Sequence, residues 1–198
     1  MILGSKNKNL FLYKKIAELH KLSITQGFLS TMGESFLSLM YEAIDSDSRS
    51  ILLVEVINGK VVGFIAGGSH IKYVYWQMLK QLPRLIIVLF PEIIKPKKFI
   101  NILELILFSF KKKTNVKTEM PELFSIAVLN SHRGKGIAKR LYKSFSRMLS
   151  KNGDSAFNIL VGDNLDSAHR FYTKMGAIPI KRLSVHKGIS STMYQQNL

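Results

Sequence analysis

The chain has 198 residues, 46% of them apolar, which suffices for the full core of one domain and does not fit a disordered chain. It has no cysteine, which excludes disulfides, thiolate catalysis and cysteine-based zinc sites, and its five histidines (20, 70, 132, 169 and 186) form no pair at metal-ligand spacing, so no metal is expected. The formal net charge of +16 is uneven: residues 1–69 carry +1, residues 70–121 carry +7 and residues 122–198 carry +8, so the later parts of the chain invite an anionic partner.

Taken in order, Met1 to Lys8 lacks an apolar core after its cations and does not read as a signal peptide. Leu12, Ile16, Leu19 and Leu22 fall in line and predict a helix over 10–22; Phe36, Leu37, Met40, Tyr41 and Ile44 predict another over 34–44. Residues 51–57 and 60–66 read as strands, and Asn58-Gly59 between them signals a two-residue hairpin.

The stretch 70–121 breaks this regularity. It holds apolar blocks at 82–94 and 99–110, separated by Lys95-Pro96-Lys97-Lys98 and followed by Lys111 to Lys113. Neither block reaches the ~20 apolar residues of a membrane-spanning helix. Pro83, Arg84, Pro91 and Glu92 interrupt the first; Asn101 and Glu104 interrupt the second. Three readings stand: helices forming a lid or dimer surface, apolar faces lying on a membrane with lysines at the headgroups, or a plain elaboration of the core.

Residues 123–129 then read as a buried strand, followed by Arg133-Gly134-Lys135-Gly136-Ile137-Ala138 and an amphipathic run from Ile137. A helix N-terminus offers unpaired N–H groups and the positive end of the macrodipole. Glycines at 134 and 136 allow an anion to approach that backbone, and Arg133 and Lys135 add charge, so the stretch is suited to a pyrophosphate. It is not a P-loop, and Lys139 stands where the dinucleotide fingerprint needs its third glycine. A second buried strand is expected over 155–161. In the run that follows, Asn164 or Asp166 caps a helix, Ala168, Phe171, Tyr172 and Met175 share one face, and Gly176 ends it in a left-handed conformation. Residues 179–183 and 191–195 are expected to be closing strands.

Arg133, Gly136 and Ala138 together resemble the pyrophosphate loop of the GNAT N-acetyltransferase superfamily. Asn164, Ala168, Phe171, Tyr172, Lys174 and Gly176 resemble its second cofactor element, at the expected distance; the resemblance covers about 10–69 and 121–183. It implies an α/β fold, a mixed central sheet flanked by helices, with acetyl-CoA as cofactor; 70–121 departs from the family's short connection there and is expected to be a helical insertion. Ile126, Ala127 and Val128 would lie along the pantetheine arm, with a backbone N–H near Val128 aimed at the thioester oxygen. Arg133, Gly134, Lys135, Gly136, Ile137 and Ala138 would hold the pyrophosphate, Asn164 the pantetheine region, and Lys174 would also serve the cofactor. Tyr172 would protonate the departing thiolate; its plainer reading is a core aromatic. A base must deprotonate the attacking amine, and Glu122, Glu34 and Glu55 are the candidates.

Residues 16–44 bear a looser resemblance to acetyltransferases of bacterial surface-polysaccharide pathways, which implies an amino-sugar acceptor, linked to a nucleotide or a lipid. A peptide amine is the rival acceptor. A non-catalytic basic module on a membrane surface or nucleic acid is the rival class, and the lack of regular aromatic interleaving among the basic residues argues against nucleic acid. The expected place is the cytoplasm or the inner face of the membrane, with a homodimer open.

Overall fold

A computed structural model describes residues 2–4, 9–26, 28–69, 71–93, 120–186 and 189–198. Seven strands form one sheet in the order β1-β2-β3-β4-β5-β7-β6. These are β1 (Ile2–Gly4), β2 (Ser50–Ile57), β3 (Lys60–Gly68), β4 (Glu122–Val128), β5 (Ala156–Gly162), β6 (Ile178–His186) and β7 (Ile189–Asn197). Every neighbouring pair is antiparallel except β4 and β5, which are parallel. The α-helices among the described residues are α1 (Leu10–Ser23), α2 (Glu34–Ser46), α3 (Ile71–Leu79), α4 (Leu82–Ile93), α5 (Ile137–Lys151) and α6 (Asp166–Lys174).

Two apolar layers sandwich the sheet, each read from the period-2 alternation of its strands. Leu52 and Val54 of β2 with Phe64 and Ala66 of β3 face α1 and α2, whereas Ile51, Leu53 and Ile65 face α5. Asn58 and Gly59 both take positive φ, 50° and 74°, as the predicted hairpin turn requires. α5 and α6 end alike. Gly153 (φ 91°) follows the first, and Asp154 N–H bonds back to the Leu149 carbonyl; Gly176 (φ 90°) follows the second, and Ala177 N–H bonds back to the Tyr172 carbonyl. Both are Schellman caps, and the second is the expected left-handed stop.

Several expectations are corrected. The strand β1 is absent from the sequence reading, because three residues carry no periodicity. Leu165, not Asn164 or Asp166, stands at the α6 cap, and no side chain caps it. The closing strands are nine residues each, longer than their apolar cores suggest. Of the first apolar block, Leu82–Ile93 is helix α4, preceded by α3. Val74, Tyr75, Met78 and Leu85 join the α1–α2 layer, and Arg84 grips Glu42 of α2 through both guanidinium nitrogens at 3.1 and 2.9 Å. This part therefore elaborates the core, while Trp76, Ile86 and Ile87 remain exposed. The second block and Lys95, Lys97, Lys98 and Lys111 to Lys113 lie outside the described residues. No helix among the described residues is long and apolar enough to cross a membrane.

The α1–α2 layer encloses one polar chain. His20 Nδ1 lies 2.6 Å from the Tyr41 hydroxyl, which lies 3.2 Å from Ser125 Oγ on β4. His20 is 1% exposed, and its Nε2 has no partner among the described residues. Burial, then the charge of Lys21, lowers its pKa to about 4. In the unfolded chain it titrates near 6.5, so below that pH the unfolded state takes up the proton first. Stability from this group is intact above pH ~6.5 and is lost as pH falls towards about 4, on the order of 3 kcal/mol in all. Urea midpoints at pH 7.5 and 4.5 should show this loss, and His20→Gln should flatten it; an equally steep variant would place the acid limb elsewhere.

Candidate active site

β4 and β5 begin together and then part. Their register contains only Glu122↔Asn158 and Leu123↔Ile159, although each strand runs seven residues. The cause is local. Against β3, Ala66 pairs with Ser125 and Gly67 with Leu123, so Phe124 is the extra residue of a β-bulge. A bulge bends its strand and breaks pairing. It also resets the alternation: Leu123 and Val128 belong to the α5–α6 layer, and Ala127 to the α1–α2 layer.

Beyond the bulge, β4 has an unpaired edge facing β5. Leu129 N–H bonds to the Val62 carbonyl at 2.9 Å, and Val128 pairs opposite Gly63. In an antiparallel ladder, alternate residues turn their backbone groups to alternate edges. Ala127, in step with Leu129, therefore bonds to β3, while Ile126 and Val128 direct theirs into the cleft. The Val128 carbonyl is taken by Arg133, whose Nε donates to it at 3.3 Å. Among the described residues, no strand partner takes the backbone groups of Ile126 or the Val128 N–H, which suits an extended ligand. On the opposite rim, His169 Nε2 lies 3.1 Å from the Gly162 carbonyl and Nδ1 lies 2.8 Å from the Tyr194 hydroxyl. A carbonyl only accepts, so Nε2 carries the proton and Nδ1 accepts from Tyr194. Each rim is thus held by one side chain, and sequence reasoning picked out only Arg133.

The loop at the mouth of the cleft has the features of an anion cradle. Gly134 and Gly136 take φ 77° and 74°, which an L side chain resists, and Gly136 is the N-cap of α5. No side chain caps that helix, and its first turn holds no acidic residue. Its leading N–H groups are left for an outside acceptor, and Arg133, Lys135 and Lys139 are exposed around them. Ile137 is buried beneath the loop and Ala138 partly so, and these two anchor it.

A glycine track in β3 seats α5. A methyl group on Gly63 would meet Ile137 and Leu141 at 2.9 and 3.1 Å; one on Gly67 would meet the Glu122 carbonyl oxygen and Phe145, each at 2.5 Å. Four strand residues span about 13 Å and eight helix residues about 12 Å, so 63 and 67 match 137, 141 and 145 in step.

The other candidates fall as follows. Tyr172, on α6, is buried in the α5–α6 layer with Val128, its ring 6.0 Å from Tyr142, 5.3 Å from Phe171 and 6.3 Å from Tyr194. Burial pushes its hydroxyl pKa well up, and no partner among the described residues bonds it. Asn164 is exposed in the turn after β5, its Oδ1 beside Gly162. Lys174 is exposed in the last turn of α6, where a cation also suits the helix dipole. Glu122 is half-buried where the strands are still paired; Glu34 is exposed in the first turn of α2; Glu55 is buried and bound to Arg140.

An open strand edge, an uncapped helix N-terminus behind left-handed glycines and a cationic rim fit an elongated ligand ending in phosphates. The comparisons agree. The profile of the Acetyltransferase (GNAT) family matches residues 15–177, and the chain belongs to that family: it is an acetyl-CoA-dependent N-acetyltransferase. No curated protein matches the sequence. Among solved structures, the chain is similar to an aminoglycoside 6'-N-acetyltransferase complexed with coenzyme A, at TM-score 0.65 and 14% identity, covering 100% of this chain and 96% of that one. It is similar to an N-acetyltransferase from Staphylococcus aureus Mu50 (0.62, 15%, covering 100% and 97%). It is also similar to the ribosomal-protein-S18-alanine N-acetyltransferase from Escherichia coli (0.60, 11%, covering 100% and 92%). At these identities the likeness shows the shared fold.

Arg133→Ala is expected to weaken coenzyme A binding on the order of 10- to 100-fold, since it removes a charge at the cradle and the tether on Val128. Calorimetry on the folded variant checks this; unchanged affinity would move the phosphates away from this loop.

Proposed function

We propose that the enzyme acetylates the primary amine of an amino sugar carried on a nucleotide or a lipid. The parting of β4 from β5 after Leu123, beside the cationic cradle, is the observation on which the transfer reaction rests. Acetyl-CoA would supply the activated thioester; the chain supplies its seat. The N–H groups of β4 near Val128 that point to the cleft, those of Ile126 and Val128, are the donors for the thioester oxygen and the arm that carries it. Arg133, Lys135 and the backbone from Gly134 to Ala138 take the pyrophosphate, and Asn164 lies beside the pantetheine arm.

The acid and the base come from opposite faces of the sheet. Tyr172 lies in the α5–α6 layer, and burial keeps its hydroxyl protonated at any working pH, as a proton donor to a thiolate must be. Glu122 is one residue from Leu123, which faces that same layer, so its side chain is directed to the α1–α2 side. Glu55 is bound to Arg140 and Glu34 sits on the surface, whereas Glu122 stands at the start of β4 beside the cleft, and we assign it as the base for an ammonium entering from the α1–α2 side.

The acceptor rests on residues 16–44, which build most of α1 and α2, and on the +7 charge of 70–121. The fold by itself allows both acceptor types, since one structural relative acts on aminoglycosides and another on a protein alanine. A thiol-release assay with nucleotide-linked amino sugars, lipid-linked amino sugars in vesicles, simple amines and peptides decides. Saturable turnover of either linked sugar supports the proposal; turnover of a peptide with every sugar ignored ends it.

A further inference from the structure

Arg140, one turn into α5, has two partners. Its Nη1 donates to the Lys135 carbonyl at 3.0 Å, and its Nη2 donates to Glu55 Oε1. Glu55 belongs to β2, two strands from the cleft, and its side chain is 4% exposed. Its second oxygen is buried with no partner among the described residues. Burying a carboxylate is costly without a paired cation, and here the cation beside it is Arg140. Neither residue belongs to the glycine-loop motif, and neither faces the open strand edge.

We propose that Glu55 and Arg140 form a positioning brace for the phosphate cradle. The argument is one of peptide geometry. In a trans peptide the C=O and the following N–H point in opposite directions. Arg140 holds the Lys135 oxygen towards itself, so the Gly136 N–H is aimed the other way, out into the mouth of the loop. The guanidinium passes close beneath: a methyl on Gly136 would lie 3.6 Å from Arg140 Nη1. Left-handed φ at Gly134 and Gly136 permits this orientation, and the brace selects it from the conformations that glycines leave open. Glu55 gives the guanidinium a fixed base; as the planar fork is rigid, fixing one arm fixes the other. This inference rests on the assignment of the loop to the pyrophosphate.

The test uses the full chain. Arg140→Met alone leaves a buried carboxylate unpaired and is expected to lower Tm. The double variant Glu55→Gln/Arg140→Met carries neither charge and should recover most of that loss. It is still expected to bind coenzyme A about tenfold more weakly, the weight of one hydrogen bond to a charged group. The KM for acetyl-CoA should rise by a similar factor with kcat unchanged at saturation. S-acetylpantetheine, which lacks the pyrophosphate, separates positioning from general damage: its kcat/KM should be the same in wild type and double variant. A folded double variant with wild-type affinity for coenzyme A, or an equal loss with S-acetylpantetheine, would overturn the brace. If the wild-type protein itself failed to bind coenzyme A, the assignment of the loop would fall, and the brace with it.

Discussion

Tyr172→Phe is expected to lower kcat on the order of 10²-fold while coenzyme A affinity stays at the wild-type value. The change removes one oxygen and keeps the ring, so the contacts with Tyr142, Phe171 and Tyr194 survive. Since no described residue bonds the hydroxyl, its loss strands no partner, and the variant should melt at or above the wild-type temperature. That separates chemistry from folding: lost turnover in an equally stable protein leaves proton donation as the cause. The pH profile adds a second check. Burial holds the hydroxyl well above its ordinary range, so no alkaline fall in kcat assignable to Tyr172 should appear up to about pH 10. A Phe variant at full speed would reduce Tyr172 to a core aromatic.

Gly67→Ala is expected to cost about 3 kcal/mol, at the upper end for an overpacked core. The added methyl would sit 2.5 Å from both the Glu122 carbonyl oxygen and the Phe145 ring. The first is backbone of the neighbouring strand and cannot step aside; the second is a fully buried side chain of α5. Relief requires the helix to lift, which also displaces the cradle at its N-terminus, so coenzyme A affinity should fall with stability. Gly63→Ala is the control. Its methyl would meet side-chain methyls of Ile137 and Leu141 at 2.9 and 3.1 Å and the Ala127 carbonyl oxygen at 3.3 Å, a milder clash than at Gly67, so about 1–2 kcal/mol is expected. Denaturant unfolding of the two variants gives the comparison. A Gly67→Ala protein as stable as wild type would show that α5 is not seated on this track.

The elements that the sequence revealed are those whose signal is local. The hairpin at Asn58-Gly59, the glycine stop at Gly176 and the loop from Arg133 to Ala138 each depend on residues adjacent in the chain, and periodicity placed α1, α2, β2 and β3. What stayed hidden depends on partners far apart. The bulge at Phe124 exists only relative to Ala66 and Gly67 of β3, and β4 on its own reads as an unbroken apolar run. Glu55 looked available as a base because nothing in β2 announces Arg140, 85 residues later. His169 looked like one of several scattered histidines until α6 folded it onto Gly162 and Tyr194. The glycines of β3 give no sign in the sequence of what packs on them and serve in the fold as the bed of a helix. The expected cap at Asn164 or Asp166 failed for a related reason: packing of Leu165 against the α5–α6 layer sets where the helix begins.

The short seam between β4 and β5 also bears on how the protein comes apart. Antiparallel pairing knits β1 to β4 into one ribbon and β5 to β7 into another, and two register pairs with a shared apolar layer join the ribbons. Such a sheet has a built-in fault line, along which sub-global opening is cheaper than complete unfolding. An extended molecule lodged in the gap would replace the missing rungs and suture the ribbons, so that they melt as one. Amide exchange should then slow on both ribbons when coenzyme A binds, including at the two edge strands, β1 and β6.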